Sequence, residues 1–409
     1  MHTEEFKLKR KFIVRIGKML HKFGIPAYRL ESHLMNLANA LELRSSFIIS
    51  PTSMTFVLWT EGHEDEYTHA ARVEPGDLDL GSLSRTDDVI EAVIDGEMAL
   101  VDATAKLDEI ETMPNSYGRI ATGFSYCIAS GAFALLMRGS IYEVALAASI
   151  GLLVYIFVLW SERSKGIHNM LEPLVALVAS FVAYGVAASF NPAIGVKLVT
   201  LSSIIVFIPG LALTIGLNEL SSRHLVSGTV KVMDALMMLF KLYFGAYLGM
   251  ELGKYSFGQY EALPSGHLPP FVMWIAILML SISLIIAFRT RKKHIVWSLL
   301  IAFLSFGVSS VATTHFGIAV GAFIGAFVVG IYSNLFTRLA NSPGVIVAMQ
   351  GLIVLVPGSK TFISLNTYVE GAAGFAFAEY AGQQALVIFM SIVAGLIFAN
   401  SALPPKKSL

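Results

Sequence analysis

Residues 205–218 read Ile-Val-Phe-Ile-Pro-Gly-Leu-Ala-Leu-Thr-Ile-Gly-Leu-Asn, and residues 353–366 read Ile-Val-Leu-Val-Pro-Gly-Ser-Lys-Thr-Phe-Ile-Ser-Leu-Asn. Seven of the fourteen aligned positions are identical, at an offset of 148 residues. Ile and Val matches count little in apolar sequence. The match of Pro209, Gly210 and Asn218 to Pro357, Gly358 and Asn366 counts for more. Each Pro-Gly pair falls near the middle of an apolar run. Proline lacks an amide hydrogen, and its ring clashes with the carbonyl four residues back, so a helix breaks there. The carbonyls of Ile205 and Ile353 lose their usual partners. In hydrocarbon such groups persist only if protein, water or ligand satisfies them. Each break also starts a half-helix, whose free amides and positive dipole end suit an anion.

Around these two segments the chain divides into two solvents. Only 14 % of its 409 residues are charged, against about 25 % in soluble proteins, and the mean hydropathy is +0.67. Residues 1–119 hold much of the charge and no run long enough to span a bilayer, which takes about 20 apolar residues in helix. Beyond them lie ten such runs: 120–137, 142–160, 172–190, 196–217, 232–250, 270–288, 295–312, 316–334, 344–365 and 383–400. The 148-residue offset carries each of the first five near one of the last five. Five is odd, so the two halves, 120–260 and 261–409, would cross in opposite senses. The expected fold is therefore an all-α polytopic membrane bundle, ten transmembrane helices as two inverted five-helix repeats, preceded by a small α+β soluble domain. Inverted repeats are the plan of many secondary transporters, with the site at the repeat interface near the midplane.

If residues 1–119 are cytoplasmic, eleven Lys and Arg lie in loops and tail on that side, against three on the other. The Arg289–Lys293 cluster dominates the bias. By the positive-inside rule both termini are expected in the cytoplasm. The charged N-terminus has no apolar signal-peptide core, so no cleaved leader is expected. The formal net charge of zero gives no argument for a nucleic-acid partner. The single cysteine, Cys127, rules out an intramolecular disulfide or a cysteine-rich metal site.

Facing half-helix starts at mid-depth would form the substrate site, with a carboxylate as guest. Lys360 lies one turn after Pro357, with Thr361 beside it and Ser364 one turn on; positions i, i+4 and i+7 share a face. An intramembrane lysine is costly and so a functional candidate. Gly210, Thr214 and Asn218 form the matching face of the first half. Asp234, Glu219 and Glu379 are the candidate proton-coupling carboxylates. Asp234 and Lys241 share a face of the fifth span but stand about 10 Å apart along it, too far to pair directly. Gly317, Gly321 and Gly325 make a small-residue face expected to pack closely against a neighbour.

In the soluble domain, helices are expected over 5–23, 28–43 and 86–110, with strands over 47–50, 52–60 and 69–73. Tyr28-Arg29-Leu30-Glu31 could hold a local ion pair or a regulatory contact. There is no G-x-S-x-G, H-E-x-x-H or phosphate loop, so no catalytic residue, metal or cofactor is assigned.

Gly24-Ile25-Pro26-Ala27-Tyr28-Arg29-Leu30-Glu31, then Ser50-Pro51, Arg72, Leu78–Leu83 and the helix to Ile110, resemble the N-terminal part of the threonine/serine exporter family. The C-terminal half resembles the partner module that some bacteria encode separately. The resemblance covers essentially the whole chain. It implies ten spans and proton-coupled export, as an antiporter, of threonine and serine across a bacterial inner (plasma) membrane. Succinate, a dicarboxylate, is the alternative substrate that some split members imply. A membrane-tethered enzyme acting through residues 1–119 and a channel are the readings from other classes. The expected partners are a small-molecule substrate, protons and the lipid bilayer, with self-association into a homo-oligomer left open.

Overall fold

The computed structural model describes residues 2–61, 66–261, 263, 266, 268–358, 362 and 375–407. Helix α1 (His2–Lys22) buries Phe12, Ile13, Ile16, Met19 and Leu20, the stripe that a 3.6-residue period presents to a core. Helix α2 (Ala27–Ala40) buries Leu30, Leu34 and Leu37 in the same way. They share one core with a three-stranded antiparallel meander of β1 (Arg44–Ile49), β2 (Ser53–Trp59) and β3 (Tyr67–Arg72). Alternate residues of β2, Met54, Phe56 and Leu58, are buried, as in a sheet with one covered face. The Phe56 ring reaches α1 at Gly17, where a Cβ would lie 2.6 Å from it.

The single helix expected over 86–110 is two, α3 (Leu80–Ile94) and α4 (Leu100–Thr112). Gly96 separates them with φ +75°, and the Met98 amide turns back to the Ala92 carbonyl at 3.0 Å. Apolar residues at near-helical spacing on both sides conceal this break in the sequence. A Cβ at Gly96 would meet nothing within 4 Å. Gly96→Ala is therefore expected to cost about 1 kcal/mol through left-handed backbone strain alone, read as a lowered melting temperature.

The remaining chain is helical: α5 (Gly118–Leu136), α6 (Ile141–Ser161), α7 (Lys165–Asn169), α8 (Leu171–Ser189), α9 (Val196–Ser203), α10 (Gly210–Ser221), α11 (Leu225–Phe257), α12 (Val272–Ala287), α13 (Ile295–Phe316), α14 (Ile318–Leu339), α15 (Val345–Leu355) and α16 (Phe375–Ala402). Among the described residues six helices are long and apolar enough to cross a membrane, and the pair α9–α10, bent by 56°, makes a seventh. The chain is thus a multi-pass membrane protein. Helices α12 and α15 are apolar but shorter. Helix α11 runs 33 residues, about 50 Å, and carries Lys231, Asp234, Lys241, Glu251 and Lys254 along its length. It packs along α8 through Gly245, Gly249 and Gly253, each against a backbone or ring atom of α8 within 3 Å of a hypothetical Cβ.

Gly321 and Gly325 pack closely against Thr313, Ser309 and Leu355, as expected for small residues. Gly317 does not. It has φ +85° and nothing within 4 Å of a Cβ, and it makes the turn between α13 and α14.

Two apolar cores result. One joins the soluble domain to residues of α13 to α16, and the other joins α6, α8, α9, α10 and α11 with Phe362 and Phe389. Val356 packs against both.

The basic cluster at Arg289–Lys293 is bound to the soluble domain. Arg289 donates to Asp79 at 2.8 Å, Arg291 to Asp88 and to Ser84, and Lys293 to Asp88 at 3.3 Å. The Leu80 amide donates to the Phe288 carbonyl, and the Tyr117 hydroxyl to the Thr290 carbonyl. In the tail, Lys407 pairs with Asp87 at 2.9 Å and Glu91 at 3.1 Å. The C-terminal tail and the N-terminal domain therefore lie on the same side.

Two buried groups of the soluble domain titrate in opposite directions. Burial, then the Lys407 ammonium, lowers His33 to about 4. Burial raises Asp87 to about 6 against the pull of Lys407. A depressed histidine must stay neutral in the fold, so its contribution is lost as pH falls from about 6.5 toward 4. The raised carboxylate has the opposite slope, and its contribution declines as pH rises from about 4 toward 6. The stability advantage of His33→Gln over the parent chain is therefore expected to grow as pH falls through that window. It should reach on the order of 3 kcal/mol near pH 4, measured by thermal unfolding across pH.

Candidate functional site

The Pro209-Gly210 break is real backbone geometry. After α9 the chain makes one 3-10 turn at Ile205–Phe207, then resumes as α10 from Gly210. The Ile205 carbonyl, expected to lose its partner, accepts the Ile208 amide at 3.2 Å through that tighter turn. Leu211 and Ala212 stand in the first turn of α10, whose amides find no acceptor inside their own helix. Helix α15 likewise stops at Leu355, and Val356 is extended.

The two breaks touch. A Cβ added at Gly210 would lie 2.6 Å from Cγ1 of Val356 and 3.0 Å from the Gly358 Cα. One added at Gly358 would lie 3.0 Å from Cγ2 of Ile208 and 3.1 Å from the Gly210 Cα. Only glycine lets two backbones approach this closely. Pro209, Gly210, Pro357 and Gly358 are all buried. The crossing lies where Val356 joins the two cores. In this conformation it is shut, because the backbones leave no space between Gly210 and Gly358 for a ligand.

Helix α10 connects this crossing to the soluble domain. Its far end carries Glu219, fully buried. Oε1 of Glu219 accepts the Ala27 amide at 2.8 Å and the Lys231 ammonium, while Oε2 accepts the Ser227 hydroxyl at 2.6 Å. Ala27 opens α2, so the carboxylate also meets the positive end of that helix. Beside it, Asn218 donates to the Tyr28 hydroxyl at 2.9 Å, and Glu31 lies 3.6 Å from His224 Nδ1. Burial raises the Glu31 carboxyl above its usual range. The Tyr28–Glu31 segment thus makes its contact with the membrane domain.

Comparison with family models now decides the family. A threonine/serine exporter model matches residues 11–253, and a second, described as "Threonine/Serine exporter, ThrE", matches residues 273–402. The chain belongs to the threonine/serine exporter family. Among curated relatives it resembles pheromone-regulated membrane protein 10 of Debaryomyces hansenii, 25 % identical over 387 residues, covering 91 % of this chain and 38 % of that protein. The Kluyveromyces lactis protein of the same name is 26 % identical over 379 residues, covering 91 % of this chain and 40 % of the relative. Uncharacterized protein C7D4.12c of Schizosaccharomyces pombe is 24 % identical, covering 87 % and 48 %. The chain therefore spans less than half the length of these three relatives. No solved structure matches.

The other expected site residues of this exporter-family chain fall in three places. Thr214 is buried near the crossing, its hydroxyl bonded to the Gly210 carbonyl at 3.1 Å. Asn218 and Glu219 sit at the soluble-domain contact, about 13 Å along α10 from Pro209. Asp234 is exposed on α11 and joins neither group. Its neighbour Lys241 reaches Glu172 on α8 at 3.9 Å. Lys360, Thr361, Ser364, Asn366 and the side chain of Glu379 lie outside the described residues.

Sequence reading passed over three further groups. Thr200 and Ser202 on α9, and Gln350 on α15, are buried, and each has a side-chain oxygen with no hydrogen-bond partner among the described residues. Ser202 and Gln350 each precede their proline by seven residues, so the repeat offset relates them. A polar side chain at matched positions of two apolar runs was the available signal. Unpartnered buried polar atoms are costly, and each is a point where water or a polar ligand can bind.

Proposed function

We propose that the chain is a secondary transporter that exports small polar amino acids, threonine and serine, in exchange for protons. The observation that carries this reading is the contact of Gly210 with Gly358. Two helix breaks at matched positions meet at one buried point, which suits a midplane site in a ten-span protein of two inverted five-helix repeats. The soluble domain and both termini are cytoplasmic in this reading. The bacterial inner (plasma) membrane stays part of it, although the relatives named above are fungal.

Transport then works by alternating access. Substrate enters from the cytoplasmic side as α10 and the Val356–Gly358 segment part. The first-turn amides of α10 take the carboxylate, with Lys360 and Thr361 on the other half. Ser364 offers an acceptor to the ammonium or hydroxyl, and Ser202 and Gln350, each about 10 Å along its helix from the crossing, stand on the approaches to it. Protonation of Glu219 would weaken its hold on Lys231 and loosen α10 from the soluble domain, which gives proton coupling a physical route. Glu379 and Asp234 are the remaining coupling candidates, Asp234 the weaker for its exposure.

The test is efflux of preloaded labelled threonine, serine and succinate from cells overexpressing the chain, with and without a protonophore. Saturable efflux of threonine or serine that collapses with the gradient is the expected result. Gradient-dependent succinate efflux alone would move the substrate to the dicarboxylates. No efflux of any of the three, with the protein in the membrane, would refute the reading.

A further inference from the structure

The soluble domain holds a cavity remote from the crossing. Five residues of α1, Arg10, Lys11, Val14, Arg15 and Lys18, face Tyr67 and His69 of the edge strand β3 across a cavity of about 260 Å³. Arg15 is neutralised by Asp108 and by Glu111 at 2.6 Å on α4. Arg10, Lys11 and Lys18 have no carboxylate partner among the described residues. The Arg10 guanidinium lies 3.9 Å over the Tyr67 ring, and the Tyr67 and His69 rings are within 6° of parallel, forming a flat wall beneath it.

Two nitrogens in this lining are buried without a partner among the described residues, Nε of Arg15 and Nε2 of His69. An arginine Nε can only donate. Burial, with the Lys18 ammonium close by, lowers His69 from its usual range, so at neutral pH it is an uncharged imidazole able to donate from Nε2. Three cations without a carboxylate partner among the described residues, and two buried nitrogens able to donate, suit a ligand with several negative charges and many acceptor oxygens. Lysine point charges and guanidinium donors suit phosphate oxygens.

We propose that this cavity binds a small soluble polyanion of the organic phosphate class. It is distinct from the transport path. The domain meets the membrane helices through Ala27, Asp79 and Leu80, beyond the C-terminal end of α1. Arg10 lies about 18 Å along that helix from Lys22, and Lys18 about 6 Å. A dissolved ligand reaches such a place more readily than a bilayer headgroup does.

Titrate the detergent-solubilised full chain with inorganic pyrophosphate and with ATP, using malonate as a dicarboxylate control, and follow both heat of binding and melting temperature. Saturable binding of pyrophosphate or ATP is expected, weakened about tenfold or more in Lys11→Ala/Lys18→Ala and weakened by added salt. Lys11 is exposed, so Lys11→Ala alone, expected to weaken binding severalfold, serves if the double variant misfolds. Equal binding by parent and variants, no saturable binding, or malonate binding as tightly as pyrophosphate would overturn the assignment. Nanodiscs carrying a phosphoinositide form a second arm. Protection of the domain there, without any from soluble pyrophosphate, would also overturn it.

Discussion

Gly210→Ala is expected to cut maximal efflux at least about tenfold, and Val356→Ala in the same chain to restore much of it. The new methyl would lie 2.6 Å from Val356 Cγ1 and 3.0 Å from the Gly358 Cα. Overpacking of this kind costs about 1–3 kcal/mol, and about 1.4 kcal/mol on a barrier is tenfold in rate. The nearest obstacle is a side-chain methyl, so trimming Val356 removes it. The contact with Gly358 is backbone and remains, so rescue should be partial. Gly358→Ala meets Ile208 Cγ2 at 3.0 Å and the Gly210 Cα at 3.1 Å, and Ile208→Ala should relieve part of that clash. Gly258→Ala serves as a control at a site with open space, since no neighbour lies within 4 Å and the penalty there is left-handed backbone strain at φ +78°. It should cost stability and leave the transport rate of surviving protein near normal. If Gly258→Ala impairs transport as much as Gly210→Ala does, the crossing has no special role.

Glu219→Leu is expected to release the soluble domain from the membrane helices and to cost about 3–5 kcal/mol. The carboxylate is fully buried and holds three donors, one from α2 and two from α11. Its loss strands the Lys231 ammonium and the Ala27 amide. Lys231→Met added to Glu219→Leu should recover part of the loss, because removing both charges leaves no unpaired ion. The measurement is a double-mutant cycle on melting temperature, with limited proteolysis at the linker near residues 113–117 reporting domain release. A cycle in which the two substitutions simply add would show that the pair is not coupled.

The apolar segments and the two Pro-Gly breaks were legible because hydrocarbon punishes polar backbone severely, so sequence period and proline chemistry leave few alternatives. The expected runs all overlap helices of the structure. Helix lengths were less legible. The 33-residue length of α11 and the shortness of α12 and α15 depend on neighbours that no local window contains. The break at Gly96 hid inside a pattern that was amphipathic on both sides. The Arg289–Lys293 cluster read as a topological signal, yet it grips Asp79 and Asp88 about two hundred residues away in sequence. Glu219 and Asn218 stood out in an apolar run, but nothing in their own span named Ala27 or Tyr28 as partners. Such long-range pairs are set by the fold as a whole. The unpartnered oxygens of Thr200, Ser202 and Gln350 were unreadable for the same reason, since lacking a partner is a property of surroundings.

The account rests on the crossing of the two breaks opening during transport. The direct measurement is thiol labelling of Val356→Cys, in a chain whose own cysteine has been removed as Cys127→Ser, by a small water-soluble reagent in membranes. Val356 is half-buried and packs against both cores, so slow labelling is expected at rest. Labelling should quicken when threonine or serine and a proton gradient are supplied, and the labelled protein should no longer transport. A Val356→Cys chain that transports normally and yet is never labelled under those conditions, or is labelled without loss of flux, would contradict it.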